Sequence, residues 1–284
     1  MGFDSSRDQA IRQLLETRHK SELNYTCVPS SLHIFESVPS TNQTLWDLLK
    51  DGADKNSIVI ATEQTSGRGQ WGRTWISPRG GLYLSVGIVP QLAAADSYQL
   101  TLASAWGIAA LLRQCSISVG IKWPNDLVLQ GRKLGGILTE TKVHNGQITQ
   151  AVIGVGINWA NPVPDTGMNL QSWQASQPHQ AISSLEMLTK TVLLGIQSGI
   201  DCLCQEGISV LLSRYLDLLT NIGEQVYINN LVGTVVGVTT QGNLHVCFDI
   251  NEPNEITTPE IYLEPGTISL GYLDTPTAIS AWDY

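Results

Sequence analysis

A glycine-rich segment with no helix after it is the feature of the sequence that most restricts the fold. Residues 57–64 form an apolar run typical of a buried strand, and the spacing Gly67-x-Gly69-x-x-Gly72 follows closely. In a dinucleotide-binding fold this spacing must open a helix. Pro78 and the glycine pair after it prevent a helix, because proline lacks a backbone N–H and glycine is a poor helix former. The sequence therefore argues against a Rossmann fold and predicts a long loop between two strands.

The same loop is suited to hold an anion. It carries Arg68, Arg73 and Arg79, whose guanidinium groups can fork onto phosphate or carboxylate oxygens. Glycine lets the backbone approach a ligand closely, and backbone N–H groups can line an anion site. Trp71 and Trp75 are unusual in a solvent loop and could cover a planar ring. A plain surface loop with solvated arginines is the alternative at this point.

The charge and the cysteines limit the possible partners. The chain of 284 residues carries a formal net charge of −9 at pH 7, so an anion site must be local and no nucleic-acid partner is expected. The same charge disfavours binding to an anionic membrane. The five cysteines include no Cys-x-x-Cys pair and fit neither a disulfide framework nor a zinc site. Because no apolar run reaches the ~18 residues of a membrane span and no signal-peptide pattern is present, we expect a cytoplasmic protein.

Hydrophobic periodicity predicts an α+β fold. Apolar residues recur at helical spacing in some segments and alternate at strand spacing in others. Asn145-Gly146 predicts a tight hairpin between two of the strands. A mainly antiparallel or mixed sheet with helices on one face is expected. The helices are predicted at 40–50, 96–114 and 183–220, and the strands at 57–64, 82–89 and within 119–159.

The chain divides into four predicted parts. Residues 1–30 are an N-terminal extension with one short helix, too little for a helix-turn-helix domain. Residues 31–221 form the larger α+β domain, in which 160–181 is expected to be a long irregular loop. In 222–271, short alternating strands broken by glycines predict a small β-barrel. Residues 272–284 are a tail.

Two later segments place polar residues where apolar strands end. Residues 122–126 read Lys-Trp-Pro-Asn-Asp, and since lysine and aspartate are rarely buried unless paired, this segment is expected to border a cleft. Pro-Asn-Asp is also common turn chemistry, so a salt-bridged turn is the alternative. Lys133 precedes Gly135 and Gly136, and glycines within a strand often mark the close approach of a ligand or another backbone.

Amide and hydroxyl side chains complete the candidate set. Asn158 ends a strand and can donate and accept at once, as recognition of a base edge requires; a turn residue is the alternative. Ser40, Thr41 and Asn42 form an ordinary helix start. Their hydroxyl and amide groups could also bind a small polar head group.

Taken in order, these motifs resemble those of the biotin protein ligases. The resemblance covers residues 35–270 and implies a class II synthetase-like α+β catalytic domain with a C-terminal SH3-like barrel. It also implies the short, ligase-only type of enzyme without an N-terminal DNA-binding domain. The matching segments are 40–42, 64–75, 122–126, 133–140 and 156–158.

The resemblance implies a ligation in two steps. ATP activates the biotin carboxylate as biotinyl-5′-AMP, and a lysine of a biotin carboxyl carrier protein, usually an acetyl-CoA carboxylase subunit, then attacks it. ATP, Mg²⁺ and biotin are the expected small molecules, no metal ligand set is evident, and a monomer or homodimer is expected. A lipoate ligase of the same superfamily is one alternative, and a sensor that binds biotin or nucleotide without chemistry is another.

The resemblance also implies roles for the motif residues. Arg68 and Lys133 would be catalytic cations beside the reacting groups, and Asp126 would orient or deprotonate the incoming lysine. The position after Gly69, often basic in relatives, is Gln70 here. The implied biotin-binding residues are Ser40, Thr41, Asn42, Gln64, Gly67, Arg68, Gly69, Trp75, Lys133 and Gly136. The implied nucleotide-binding residues are Arg68, Arg73, Asn125, Lys133 and Asn158.

Overall fold

A computed structural model describes residues 31–228, 231–248 and 259–272. The predicted N-terminal helix and the tail beyond residue 272 lie outside these residues. Most of the described chain belongs to a large sheet, the helices packed on it and a smaller sheet. In chain order the elements are β1 (Ser31–Val38), α1 (Thr41–Lys50), β2 (Ser57–Gln64), β3 (Leu82–Ile88), α2 (Tyr98–Gln114), β4 (Gly120–Lys122), β5 (Asp126–Leu129), β6 (Arg132–His144), β7 (Gln147–Ile157), α3 (Leu170–Ala175), α4 (Leu185–Glu206), α5 (Ile208–Leu216), β8 (Gln225–Ile228), β9 (Leu231–Val238), β10 (Leu244–Phe248) and β11 (Glu260–Leu263).

The large sheet has seven strands in the order β1-β2-β3-β7-β6-β5-β4. Its neighbouring strands are antiparallel, except that β1 and β2 are parallel. A parallel pair needs a crossover connection, and α1 supplies it. The sequence analysis did not predict β1. This edge strand mixes polar and apolar residues and is largely half-exposed, so it lacks a clear alternating pattern.

Helices lie on both faces of the large sheet. Ile58 and Ile60 of β2 belong to the main core with the long helices α2 and α4. Val59 points to the opposite face, where it forms a smaller buried cluster with Val152 and with Leu45 of α1. The α+β class is therefore confirmed, but the expectation of helices on one face fails for α1. An unbroken apolar run such as that of β2 is typical of a strand covered on both faces.

Glycines bring α2 and α4 into close contact. A Cβ atom on Gly107 would lie 2.0 Å from the carbonyl oxygen of Gly195, and one on Gly199 would lie 1.9 Å from that of Ala103. The backbones touch directly at this crossing, and a methyl group has no space there. The two helices thus form a tightly packed layer behind the strands that carry the site.

The segment 160–181, predicted to be irregular, contains α3 and supports β6. Asn169 caps α3 by accepting a hydrogen bond from the backbone N–H of Ser172 at 2.8 Å. Lys133 N donates to Thr166 O at 2.8 Å, and Met168 N donates to Lys133 O at 2.9 Å. The backbone of Lys133 is therefore held from both sides by this segment.

The smaller sheet is antiparallel, in the order β11-β10-β9-β8. Along β10, Leu244, Val246 and Phe248 are buried, whereas His245 and Cys247 between them are half-buried. This alternation belongs to a sheet with one face on a core. It agrees with the predicted small β domain, while the boundary at residue 222 stays a prediction.

Trp123 connects the two sheets. Its indole Nε1 donates to the carbonyl oxygen of Gly242 at 2.8 Å, and its backbone N–H donates to Asn221 Oδ1 at 2.8 Å. The side chain is 2% exposed. The residue next to Lys122 is thus fixed to the small sheet, which places that sheet beside the segment 122–126.

No helix in the described part of the chain is both long enough and apolar enough to cross a membrane.

Replacing Gly199 with alanine tests the helix crossing. Alanine is favoured over glycine in a helix by about 1 kcal/mol, but the methyl group at this crossing should lower the free energy of unfolding by about 1–3 kcal/mol. Urea unfolding of Gly199→Ala measures the change. Ser198→Ala, on the half-buried side of the same turn, is the control and should stay within about 0.5 kcal/mol of wild type. A Gly199→Ala protein as stable as wild type would contradict the described packing.

Candidate active site

One cavity, with a volume of about 140 Å³, brings most of the predicted residues together. The loop between β2 and β3, here called the glycine loop, borders it with residues between 68 and 75. The chain after β11 borders it at residues 268–270. The described residues that line it include two arginines, two lysines and one carboxylate, so it is a local positive site in an acidic chain. The predicted residues that line it are Ser40, Thr41, Asn42, Gln64, Arg68, Gly69, Arg73, Trp75, Asn125, Asp126, Lys133 and Gly136.

Gly67 and Asn158 do not line this cavity. Gly67 lies where the loop closes on itself, since its carbonyl oxygen accepts from Trp75 N at 2.9 Å. The buried amide of Asn158 donates to Lys133 O at 3.3 Å and accepts from Asn161 Nδ2 at 2.9 Å. The structure thus places the Asn158 amide behind Lys133, and its contact with a nucleotide stays a prediction.

The start of α1 and the end of β2 form a polar end of the cavity. Thr41 N donates to Gln64 Oε1 at 2.8 Å, and Gln64 Nε2 donates to Ser77 Oγ at 2.8 Å. These hydrogen bonds fix the orientation of the Gln64 side-chain amide. Ser40 occupies the N-cap position of α1 without a capping hydrogen bond from its side chain, and it lines the cavity.

Ser85 is a member of this polar end that the sequence analysis missed. Its Oγ lies 2.6 Å from Asn42 Oδ1 and 2.8 Å from Thr41 Oγ1, and the side chain is fully buried. Gly154 on β7 makes space for the amide, because a Cβ there would lie 2.2 Å from Asn42 Oδ1. A serine within the otherwise largely apolar strand β3 was the available signal.

Arg68 docks the glycine loop onto β6. Its Nη2 lies 3.0 Å from Glu140 Oε2, an oxygen that also accepts from Asn42 Nδ2 at 2.8 Å and from Trp46 Nε1 at 3.3 Å. The Arg68 side chain is 41% exposed, and ion pairs with such exposure contribute little stability. Arg68 can therefore exchange Glu140 for an anionic ligand at small cost.

Lys133 and Asp126 form a close ion pair at the centre of the cavity wall. Lys133 Nζ lies 2.7 Å from Asp126 Oδ1 and 5.2 Å from the ring centre of Trp75. Gly136, which faces Asp126 across the β5–β6 ladder, leaves the space beside the pair open. Gly156 lets the indole of Trp75 lie across β7, since a Cβ there would be 2.4 Å from Trp75 Nε1.

Lys122 is a second lysine of the cavity wall and, unlike Lys133, it is buried. The sequence analysis noted it but did not assign it to the site. It is 7% exposed, and its Nζ lies 4.2 Å from the ring centre of Tyr272. Burial lowers the pKa of Lys122 to about 8, and the nearby Asp126 carboxylate opposes this shift. The Tyr272 hydroxyl donates to Asp126 Oδ2. Burial raises the pKa of Tyr272, so this hydroxyl keeps its proton.

Two comparisons place the chain among known proteins. A family model described as the biotin/lipoate A/B protein ligase family matches residues 34–158. The bifunctional ligase/repressor BirA of Salmonella typhimurium is 34% identical over 249 residues, which are 86% of this chain and 76% of that protein. The chain belongs to the biotin protein ligase family.

Other members of the biotin protein ligase family agree with this placement. The biotin–[acetyl-CoA-carboxylase] ligase of Paracoccus denitrificans is 35% identical over 122 residues, 43% of this chain and 50% of that protein. The structure of biotin protein ligase from Aquifex aeolicus in complex with biotin and ATP aligns with a TM-score of 0.63 at 22% identity, covering 82% of this chain and 95% of that one. This likeness confirms the predicted fold.

The cavity of this biotin protein ligase does not form a Mg²⁺ site of its own. Among the described lining residues, Asp126 is the one carboxylate, and its oxygens already contact Lys133 and Tyr272. Mg²⁺ binds through carboxylates and through substrate phosphates. The metal of such a reaction would therefore arrive with the nucleotide, and no step below is assigned to it.

Proposed function

We propose that this chain activates biotin with ATP as biotinyl-5′-AMP and transfers the biotinyl group to a lysine of a biotin carboxyl carrier protein. The observation that carries the proposal is that Arg68 and Lys133, from separate β-segments, line one cavity. Adenylation joins a carboxylate to a phosphate, and fixed positive charges lower the cost of bringing two anions together. The Aquifex relative binds biotin and ATP, and the Paracoccus relative is named for acetyl-CoA carboxylase.

The polar end of the cavity favours biotin over lipoate. A ureido ring needs donors and acceptors held in place, and Ser40, Thr41 and Gln64 supply both. Ser85 adds a fixed hydroxyl behind them. A lipoyl chain, which is apolar, would leave these groups without partners, and buried polar groups without partners are costly. We therefore assign this end to the ureido ring and Trp75 to one side of the ligand.

The first step is assigned to the two cations. A biotin carboxylate oxygen attacks the α-phosphorus of ATP, the bond to the β-phosphate oxygen breaks, and pyrophosphate leaves. Lys133, braced by Asn158 and paired with Asp126, is placed to neutralise the carboxylate and the α-phosphate. Arg68 and Arg73 on the glycine loop reach the same anions when Arg68 leaves Glu140. Asn125 lines the nucleotide side, and its Nδ2 donates to Ile137 O at 2.7 Å.

The second step is assigned to Asp126. The amine nitrogen of the carrier lysine attacks the acyl carbon, the bond to the phosphate oxygen breaks, and AMP leaves. Asp126 is the lining carboxylate that can take the proton released by the amine. Lys133 stays beside the leaving phosphate, where its charge stabilises AMP.

We assign to the glycine loop the role of shielding the adenylate from water. Ligand sites commonly have volumes of about 300–1,000 Å³, so the cavity of about 140 Å³ must widen to admit both substrates. The exposed Arg68–Glu140 pair and the glycines make the loop the segment that can move. Closure over a reactive intermediate prevents its hydrolysis. We also place the enzyme in the cytoplasm, as a monomer or a homodimer.

Mass spectrometry of a carrier domain tests the proposal directly. The carrier is incubated with this protein, ATP and either biotin or lipoate, and pyrophosphate release is followed in parallel. Biotin should give a carrier heavier by one biotinyl group on a single lysine, while lipoate should give none. Lipoylation would support the lipoate ligase, and ligand binding without turnover would support a sensor.

Lys133→Ala should slow adenylation about 100-fold, because a single electrostatic stabiliser of this kind contributes about 3 kcal/mol. The rate of pyrophosphate release with biotin and ATP measures the effect. Lys142→Ala is the matched control, since Lys142 lies on the same strand against Trp46 and does not line the cavity. Equal rates for wild type and Lys133→Ala would contradict the role given to Lys133.

Nucleotide affinity should fall with rising pH because of Lys122. Its pKa is about 8, so its positive charge is present below pH 8 and is lost as the pH rises above it, which weakens attraction to the triphosphate. The groups around it are Asp126, Lys133, Glu224 and Arg73, with the ring of Tyr272 over its Nζ. Calorimetric titration with ATP between pH 6.5 and 9.5 should show this loss in wild type, whereas Lys122→Met should bind weakly and lack it. A similar pH dependence in both proteins would exclude Lys122 as its source.

A further inference from the structure

The chain crosses the cavity again after the small sheet. Residues 266–272, here called the C-terminal strap, follow β11 by a short turn. A Cβ on Gly266 would lie 2.5 Å from Trp71 Nε1 in the glycine loop. Trp71 has a φ of 52°, a left-handed conformation that is rare for a bulky residue. The strap is therefore in close contact with the loop proposed to move.

The middle of the strap forms part of the cavity wall. Ile268, Ser269 and Leu270 line the cavity, and Leu270 is 4% exposed. Burial of this apolar side chain anchors the strap. The residue two positions later, Tyr272, is consequently held at the segment 122–126.

Tyr272 contacts the oxygen of the Asp126 carboxylate that Lys133 does not contact. Its hydroxyl donates to Asp126 Oδ2, while Lys133 Nζ contacts Oδ1 at 2.7 Å. Each oxygen of this carboxylate thus has a partner, and Asp126 as a whole is 8% exposed. The Tyr272 ring lies against the Lys122 ammonium, a cation–π contact that gains strength where water is excluded.

This arrangement matters for the transfer step. The carrier lysine reaches the site as an ammonium ion. One proton must pass to Asp126 before its nitrogen can attack the acyl carbon, and a second proton leaves the nitrogen when the amide forms. An ammonium has three N–H donors and needs a free position on the carboxylate. A carboxylate oxygen can accept two hydrogen bonds, but Asp126 is 8% exposed, and the Tyr272 hydroxyl occupies a position on Oδ2. The carrier lysine therefore gains access to Oδ2 when this hydroxyl moves away.

We propose that Tyr272 is a positioning residue that holds Asp126 in place during adenylation and yields its hydrogen bond on Oδ2 to the carrier lysine in the transfer step. The inference rests on the proposed function. Tyr272 holds the position with a donor of its own, so Asp126 stays fixed while the adenylate forms. The lysine ammonium then replaces this hydrogen bond with its own and passes one proton to Asp126. Its free amine attacks the acyl carbon, the bond to the phosphate oxygen breaks, and the second proton leaves with the AMP phosphate.

The two half-reactions separate this role from a structural one. Tyr272→Phe keeps the ring over Lys122 and removes the competing hydroxyl. It should lower the KM for the carrier domain about fivefold, the effect of one hydrogen bond that no longer competes. Adenylation without carrier, measured as pyrophosphate release, should fall by about twofold at most, because Asp126 loses one partner while Lys133 still contacts its Oδ1. Transfer is measured from preformed biotinyl-5′-AMP at varied carrier concentration.

Tyr262→Phe is the matched control. Tyr262 also donates its hydroxyl to a carboxylate, that of Glu260 at 3.2 Å, but on the small sheet and outside the cavity. Its variant should behave as wild type in both half-reactions. Tyr272→Ala removes the ring as well, and should combine the lower carrier KM with a changed affinity for ATP through Lys122.

The outcomes distinguish this inference from the proposed function. An unchanged carrier KM in Tyr272→Phe would overturn the inference, and so would an equal loss of adenylation and transfer, which indicates a structural role. If wild type released no pyrophosphate with biotin and ATP, the proposed function itself would fail and the inference with it. If wild type is active in both steps, the proposed function stands, and the carrier KM of Tyr272→Phe compared with that of Tyr262→Phe decides the inference.

Discussion

The site depends on the ion pair between Lys133 and Asp126. The two residues lie on the neighbouring strands β6 and β5, with 2.7 Å between their charged atoms. A charge held in a water-poor cleft is costly unless it is paired, and Asp126 pairs with Lys133. The pair also fixes the geometry, since Asn158 and the segment before α3 hold the Lys133 backbone from behind. The reaction proposed here uses both members, one for the adenylate and the other for the carrier amine.

Glycines allow large side chains to lie directly on the strands around this pair. Gly154 accommodates the amide of Asn42, and Gly156 accommodates the indole of Trp75. A side chain at either position would displace the amide or the indole by about 1 Å, which is enough to impair a catalytic arrangement. The cavity is thus shaped as much by missing side chains as by the charged ones.

The sequence predicted the local elements well, because each leaves a local pattern. β2, α1 and the hairpin at Asn145-Gly146 follow from apolar runs, helix starts and turn chemistry. The edge strand β1 was missed because its half-exposed residues lack an alternating pattern. The sequence did not predict that α1 packs on the opposite face of the sheet. That packing involves the burial of Val59 against Leu45, which arises only once the sheet is assembled.

Site residues were predictable where a motif carries them and not where contacts are distant in sequence. Arg68, Lys133 and Asp126 stand in motifs and line one cavity, while their catalytic roles stay predictions. Ser85 required the pairing of β3 with the start of α1. Tyr272 lies 146 residues from its partner Asp126, and no sequence spacing indicates such a contact. The strand-end position of Asn158 was visible in the sequence, whereas its hydrogen bond to the Lys133 backbone was not.

A double-mutant cycle tests most directly whether Arg68 and Lys133 act on one anionic centre. The dissociation constant of a non-hydrolysable biotinyl-adenylate analogue is measured for wild type, Arg68→Ala, Lys133→Ala and the double variant. Two cations that contact the same acyl-phosphate should be coupled by at least about 1 kcal/mol, since groups with a shared partner are not additive. Losses that add to within about 0.3 kcal/mol, as for independent sites, would contradict the shared positive centre on which this account depends.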